Sequence, residues 1–297
     1  MGTPSKNWLW VFFCNRCLSG CVFFDSLAWQ LTLLSAPITS KYVYYFFQIR
    51  LAGEAFNNIL PAASMGGEPI KAMLLKNLHG INYDESISSL ILTRTINAIA
   101  LIFFLIIGFL LILENDIFDK EYRKIAGVGL IILISLIFLF FAIQRFQLTS
   151  LISKSLSERR GFNWLENFLS HIKSIDERLV SFYTVQYRRA AISFTLAFFN
   201  WVIGVGEIII TMHFLGYPIT FADAWIIEAI AQLVRAATFF IPASIGAQEG
   251  AFFVIGSTIT GSPTLGFSVA IIRRAREIIW IFIGLMVFYK NKPPIIT

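Results

Sequence analysis

Glu249 stands in a stretch, Phe240 to Gly250, that reads F-I-P-A-S-I-G-A-Q-E-G between apolar sequence on either side. A carboxylate in such surroundings is costly and marks a functional position by default. Gln248 precedes it, and Pro242 and Gly246 lie just upstream. Proline removes a backbone donor and glycine permits turn geometry, so a helix entering here must break. In hydrocarbon a broken backbone persists only where protein or trapped water satisfies the freed groups.

The pattern occurs twice. Ile59 to Pro69 reads I-L-P-A-A-S-M-G-G-E-P, and Leu60, Pro61, Ala62 and Glu68 align with Ile241, Pro242, Ala243 and Glu249 at one constant offset. Gly66 and Gly67 are the turn residues of the first copy. Arg94 follows Glu68 on the next apolar segment, and Arg274 follows Glu249 at nearly the same distance. Paired Gly/Pro-interrupted apolar segments in two halves of a chain point to a transporter-type binding site. The alternative is a pair of kinked helices packed through small residues with no ligand between them.

Each break puts a helix N-terminus inside the membrane. Its free N–H groups and positive dipole end attract an anion such as phosphate. Arg94, Arg235, Arg273 and Arg274 add guanidinium forks suited to phosphate oxygens. Glu68 and Glu249 have three open roles: binding a cationic headgroup, exchanging a proton, or neutralising the arginines. The last has equal standing, because pairing of intramembrane charges is nearly compulsory. Arg50, Glu54, Asn57 and Pro61 recur on one helical face, and Glu228, Gln232 and Arg235 on another. Both faces are expected to point inward.

Catalytic patterns are absent from the sequence. It has no H-E-x-x-H, Walker lysine loop, G-x-S-x-G or dinucleotide fingerprint. No residue is a catalytic candidate. His79, His171 and His213 lack metal-ligand spacing, and Cys14, Cys17 and Cys21 read as small apolar helix residues. No metal and no cofactor is expected.

The elements that must position these residues follow from composition. The chain is 57% hydrophobic and 14% charged, with 30 phenylalanines among 297 residues. A soluble domain would carry roughly 25% charge, so this is an integral membrane protein. The net charge of +6 sits mainly in one segment and reports topology, not nucleic-acid binding. Spanning helices are expected over residues 8–34, 87–113, 125–143, 190–215 and 267–289. Hairpins that enter and return are expected around the two breaks, with limbs of about 15 residues. Glu114 to Lys124 reads as a short charged loop.

Residues 144–189 hold eight Lys/Arg and four Asp/Glu. Leu165, Phe168, Leu169, Ile172, Ile175 and Leu179 make an apolar stripe there, which predicts an amphipathic helix on the bilayer surface. The fold class is therefore all-α and polytopic, with about five crossing helices and two re-entrant hairpins. Residues 1–297 form a single membrane domain: repeat one at 39–143, a connector at 144–189, and repeat two at 190–289. The positive-inside rule places the connector and the C-terminus in the cytoplasm. The hairpins then open from opposite sides, which makes the repeats inverted.

On Gly53 to Leu75 (G-E-A-F-N-N-I-L-P-A-A-S-M-G-G-E-P-I-K-A-M-L-L) and Ile241 to Gly250, with Arg94 and Arg274, the chain resembles the lysylphosphatidylglycerol synthase transmembrane-region family, also called flippase-like membrane proteins. The resemblance covers roughly Asp25 to Tyr289, and the first motif is most similar to the branch associated with hopanoid biosynthesis. It implies lipid handling in a bacterial inner membrane, with a membrane lipid of anionic headgroup as partner. Against the family's pattern, the chain is expected to lack the first helix. In the family's synthases a soluble aminoacyl-transferase domain follows the membrane region. The chain stops at Thr297, so that enzyme activity is not implied. A lipid flippase-like transporter is the favoured reading. A non-transporting membrane partner of lipid-synthesis enzymes is the alternative, and an intramembrane lipid-modifying enzyme is a third reading.

The topology is testable by cysteine labelling in right-side-out and inverted vesicles. Positions near Arg159 and Lys292 should label from the cytoplasmic side, and positions near Lys120 and Ser262 from the other. Labelling of Arg159 and Lys120 positions from one side would remove the inverted repeat.

Overall fold

A computed structural model describes residues 7–60, 65–115, 117–145, 178 and 180–291, with side chains described from Gly20 onward except at 140, 141 and 143–145. Among these residues every regular element is a helix: α1 (Asn7–Thr32), α2 (Ser40–Ile59), α3 (Glu68–His79), α4 (Tyr83–Glu114), α5 (Lys120–Arg145), α6 (Tyr187–Phe214), α7 (Phe221–Ala237), a 3₁₀ turn at Pro242–Ser244, α8 (Ala247–Thr260) and α9 (Pro263–Asn291). The protein is an all-α polytopic membrane protein. Pro61, the amphipathic stripe from Leu165 to Leu179, Arg159 and Lys292 fall outside the described residues, as do the side chains of Cys14 and Cys17.

Helix lengths sort the elements. Among the described residues, three helices satisfy both the length and the apolarity of a membrane span: Tyr83–Glu114, Lys120–Leu139 and Tyr187–Phe214, at mean hydropathies of 3.0, 2.0 and 1.7. Helices α1 and α9, of 26 and 29 residues, exceed a ~30 Å hydrocarbon core at ~1.5 Å per residue. Asp25 of α1 and Arg273, Arg276 and Glu277 of α9 line the cavity described below. Helices α3 and α8, of 12 and 14 residues, are too short to cross. Their partners α2 and α7 have 20 and 17 residues, so the hairpins are asymmetric, with the entering limb longer than 15.

Local chemistry sets the ends. Thr220 caps α7 by accepting from the Asp223 N–H at 3.1 Å. Gly80 and Gly261, at φ of 67° and 69°, end α3 and α8 in the left-handed conformation. Lys120 to Lys124 form the first turn of α5 and not a loop, since only residues 115–119 separate α4 from α5. Helix α7 stops at Ala237, ahead of Pro242, which cannot donate into a continuing helix.

The packing has a two-fold character. Helix α1 packs on α2 as α6 packs on α7, and α1 lies along α6. The entering limb of each hairpin packs on the long helix of the other repeat, α2 on α9 and α7 on α4. Each of these crossings has a glycine where backbones approach: Gly284 sits against the Leu51 carbonyl, and Gly108 against Ala229. Small residues at helix crossings are the usual basis of membrane helix association. Helix α1 therefore occupies in the first half the place α6 occupies in the second.

Two aromatic anchors hold the halves. Trp225 of α7 stacks on Phe104 of α4 with centroids 4.6 Å apart and donates its indole N–H to the Phe104 carbonyl at 3.0 Å. Trp29 of α1 meets Phe46 of α2 edge to face at 4.8 Å. Most of α5 faces outward, including Ile125, Ile131 and Phe138, as a lipid-facing helix should.

The breaks differ from a simple glycine hinge. Gly246 does adopt a positive φ of 86°, but Ala243 and Ser244 also take positive φ, 49° and 50°. Gly67 has an ordinary φ of −85°. It is needed for space, since a Cβ there would strike the backbone carbonyl of Gly53. Gly67→Val should therefore lower the stability of the purified protein by about 1–3 kcal/mol, the usual range for overpacking. Gly206, with nothing near its Cβ direction, should accept alanine without loss. Thermal unfolding of both variants in one detergent checks the contrast.

Candidate functional site

A cavity of about 500 Å³ lies between the two repeats. Its lining includes six acids (Asp25, Glu54, Glu68, Glu207, Glu228, Glu277) and six bases (Arg50, Lys71, Arg94, Arg235, Arg273, Arg276). Placing one such charge at a bilayer centre costs about 2.5–3.5 kcal/mol on insertion scales. The structure offsets that cost by pairing.

The two breaks are built alike. Arg94 reaches from α4 to the start of α3 and donates Nε and Nη2 to Oε1 of Glu68, at 3.0 and 2.5 Å. Arg274 reaches from α9 to the start of α8 and donates Nε and Nη2 to Oε1 of Glu249, at 2.8 and 2.5 Å. Both carboxylates sit in the first turn of their helices, at the positive dipole end. Glu249 also accepts the Gly246 N–H at 2.8 Å.

The surroundings of the two pairs differ. Lys71 Nζ adds a third bond to Glu68 Oε1 at 3.0 Å, and this lysine is 1% exposed. It fills the space left by Gly53 and lies 5.8 Å from the Trp29 ring. Asn57 is buried and accepts the Gly67 N–H at 2.8 Å, which ties the two limbs of the first hairpin together. In the second break Arg274 also donates to the Ala243 carbonyl at 3.2 Å and to Glu277 at 2.7 Å. The left-handed residues Ala243 and Ser244, each costing on the order of 1–3 kcal/mol, are thus held by a residue of α9.

Further pairs close the lining. Arg273 forms a fork on Glu228 at 2.6 and 2.8 Å, and Gln232 donates to Glu228 at 2.6 Å. Asp25 pairs with Arg50 and accepts from Asn97 at 3.2 Å. Glu207 pairs with Arg276. Arg235 stands 3.7 Å from Glu277.

Of the candidate residues, Glu68, Arg94, Arg273, Arg235 and Glu54 line the cavity. Asn57 stands behind it at the hairpin. Glu249, Arg274 and Gln248 line a smaller notch beside it, which shares Arg273 and Glu277 with the cavity. Glu277 joins the two regions, since it lines both and meets Arg235 and Arg274. Gln248 is 3% exposed, and neither amide atom has a partner among the described residues. In the cavity lining Glu68 Oε2, Asn200 Oδ1, Trp201 Nε1, Arg276 Nε and Trp280 Nε1 are likewise buried without a partner there. Such groups call for water or a polar ligand.

Sequence reasoning passed over Asp25, Glu207, Lys71, Arg276 and Glu277 as site residues. One signal was present: Asp25 precedes Glu68 by nearly the distance at which Glu207 precedes Glu249. The acid on the first helix of each half is thus part of the repeat. Lys71 and Glu277 have no matched counterpart and carry no such signal.

A family model described as the lysylphosphatidylglycerol synthase TM region matches residues 4–284, and the chain belongs to that family. The match selects no branch within it. Searches of curated proteins and of solved structures return no match.

The burial of the pairs predicts a gradient of stability. Removing one partner of a buried pair leaves an uncompensated charge, so Arg273→Met alone should cost about 3–5 kcal/mol. Adding Glu228→Leu should recover much of that loss. Arg94→Gln should cost less than Arg273→Met, because 42% of its side chain is exposed. Unfolding of the three variants in detergent gives the order.

Proposed function

We propose that this member of a lipid-handling membrane family moves or presents a phosphate-bearing lipid between the leaflets of a bacterial inner membrane. The observation that carries the proposal is the matched construction of the two breaks: in both, an arginine from a long helix grips the carboxylate at the tip of a hairpin through the same two nitrogens and a single oxygen. Helix packing through small residues has no need of that repetition.

Arg94 and Arg235, the cations of the lining with much exposed side chain, engage headgroup phosphate oxygens. The volume suits a headgroup, as ligand pockets occupy about 300–1,000 Å³. Acyl chains remain in the bilayer beside the bundle. The hairpins open from opposite sides, so exchanging their ion-pair partners alternates access to the cavity. Glu277, shared by Arg235 of α7 and Arg274 of α9, is placed to change partners in that exchange. The connector and C-terminus are cytoplasmic in this scheme. The membrane region itself performs no aminoacyl transfer, and no cofactor, metal or nucleic acid takes part.

Reconstituted liposomes containing fluorescent phospholipids test the proposal. The protein should accelerate movement of label between leaflets, and Glu249→Gln should slow it by about tenfold or more, the worth of one charged hydrogen bond. The folded fraction, followed by thermal unfolding, should stay the same. Unchanged movement per folded molecule with a lowered melting temperature would make Glu249 a counter-charge for Arg274 and nothing more.

A further inference from the structure

Glu54 is set apart from the other acids of the cavity. Asp25, Glu68, Glu207, Glu228 and Glu277 each pair with a cation of the lining. Glu54 has no cation within 4 Å among the described residues, and its one side-chain bond comes from Asn57 at 3.3 Å. It faces the cavity from α2. At the matching position of the second hairpin, the same distance before the proline, stands Arg235. Arg235 is held only at 3.7 Å by a carboxylate that Arg274 also engages. The two entering limbs thus present opposite charges to one cavity, Glu54 within the field of Arg50, Lys71, Arg94 and Arg235 but in no close ion pair, and Arg235 in a loose one.

The lining as a whole carries equal numbers of acids and bases. In a low-dielectric site, a ligand of net charge would leave one charge uncompensated, which is expensive. A net-neutral ligand with one charge of each sign leaves none. We propose that the cavity selects a zwitterionic headgroup, a phosphate diester bearing an ammonium group, with Arg235 and Arg94 on the phosphate and Glu54 on the ammonium. This rests on the lipid-handling reading above and names the lipid class. Buried donors in the lining, Trp201 Nε1 and Trp280 Nε1, remain for the other phosphodiester oxygens. The notch at Glu249 is outside this site.

Competition in native mass spectrometry tests the assignment. The full chain in detergent is mixed with equal amounts of dihexanoyl-phosphatidylethanolamine and dihexanoyl-phosphatidylglycerol, and the ratio of bound species is read. The ethanolamine lipid should be favoured by on the order of tenfold. Glu54→Gln should bring the ratio near one while glycerol-lipid binding persists, which also shows that the variant is folded. Arg235→Gln should weaken both lipids and keep the preference. Equal binding of the two lipids by the unmodified protein, or a preference that survives Glu54→Gln, overturns the zwitterion assignment and leaves lipid handling standing. Binding of neither lipid overturns both.

Discussion

A charge in a membrane interior must find a partner, and the architecture follows from that constraint. Helix α9 carries Arg273, Arg274, Arg276 and Glu277 within little more than one turn. Such a helix cannot face lipid all round. Its arginines turn instead to Glu228 of α7, Glu249 of α8 and Glu207 of α6, so one charged turn gathers three other helices. In the first half the arrangement is more dispersed: Arg50 of α2 meets Asp25 of α1, while Arg94 of α4 and Lys71 of α3 share Glu68. Pairing of this kind contributes little net stability but fixes which helices are neighbours.

The internal symmetry holds in the order and packing of the helices and breaks at individual side chains. Both hairpins present a helix N-terminus with a glutamate, and both are gripped by an arginine about one helix away in sequence. At the second break Arg274 also holds the Ala243 carbonyl, and at the first Lys71 and Asn57 add bonds of their own. Where Glu54 stands in one limb, Arg235 stands in the other. A strictly symmetric pair of limbs would put like charges into one cavity. The departure from symmetry supplies the two poles that a headgroup with both charges requires.

Much of this was legible in the sequence. The repeated Pro-to-Glu spacing and the trailing Arg94 and Arg274 located both breaks. The i, i+4, i+7 spacing of Glu228, Gln232 and Arg235 put three polar side chains on one face, and all three line the cavity. Composition alone gave the helical membrane class. What was not legible is what depends on contacts distant in sequence. Nothing local to Lys71 says that it fills the hollow at Gly53, or that Glu277 bridges two arginines. The left-handed Ala243 and Ser244 were hidden as well, because residue preference assigns that conformation to glycine; only the carbonyl contact from Arg274 accounts for it.

The central claim is that the charges of the two halves form one cavity that receives a lipid phosphate. A cryo-electron microscopy map of the protein in phospholipid nanodiscs tests it most directly. The account predicts headgroup density inside the bundle, with a phosphate in contact with Arg94 and Arg235 and the Glu68 and Glu249 pairs intact on either side. Lipid density confined to the outer surface of the helices, with no headgroup density between Arg94 and Arg235, would contradict it.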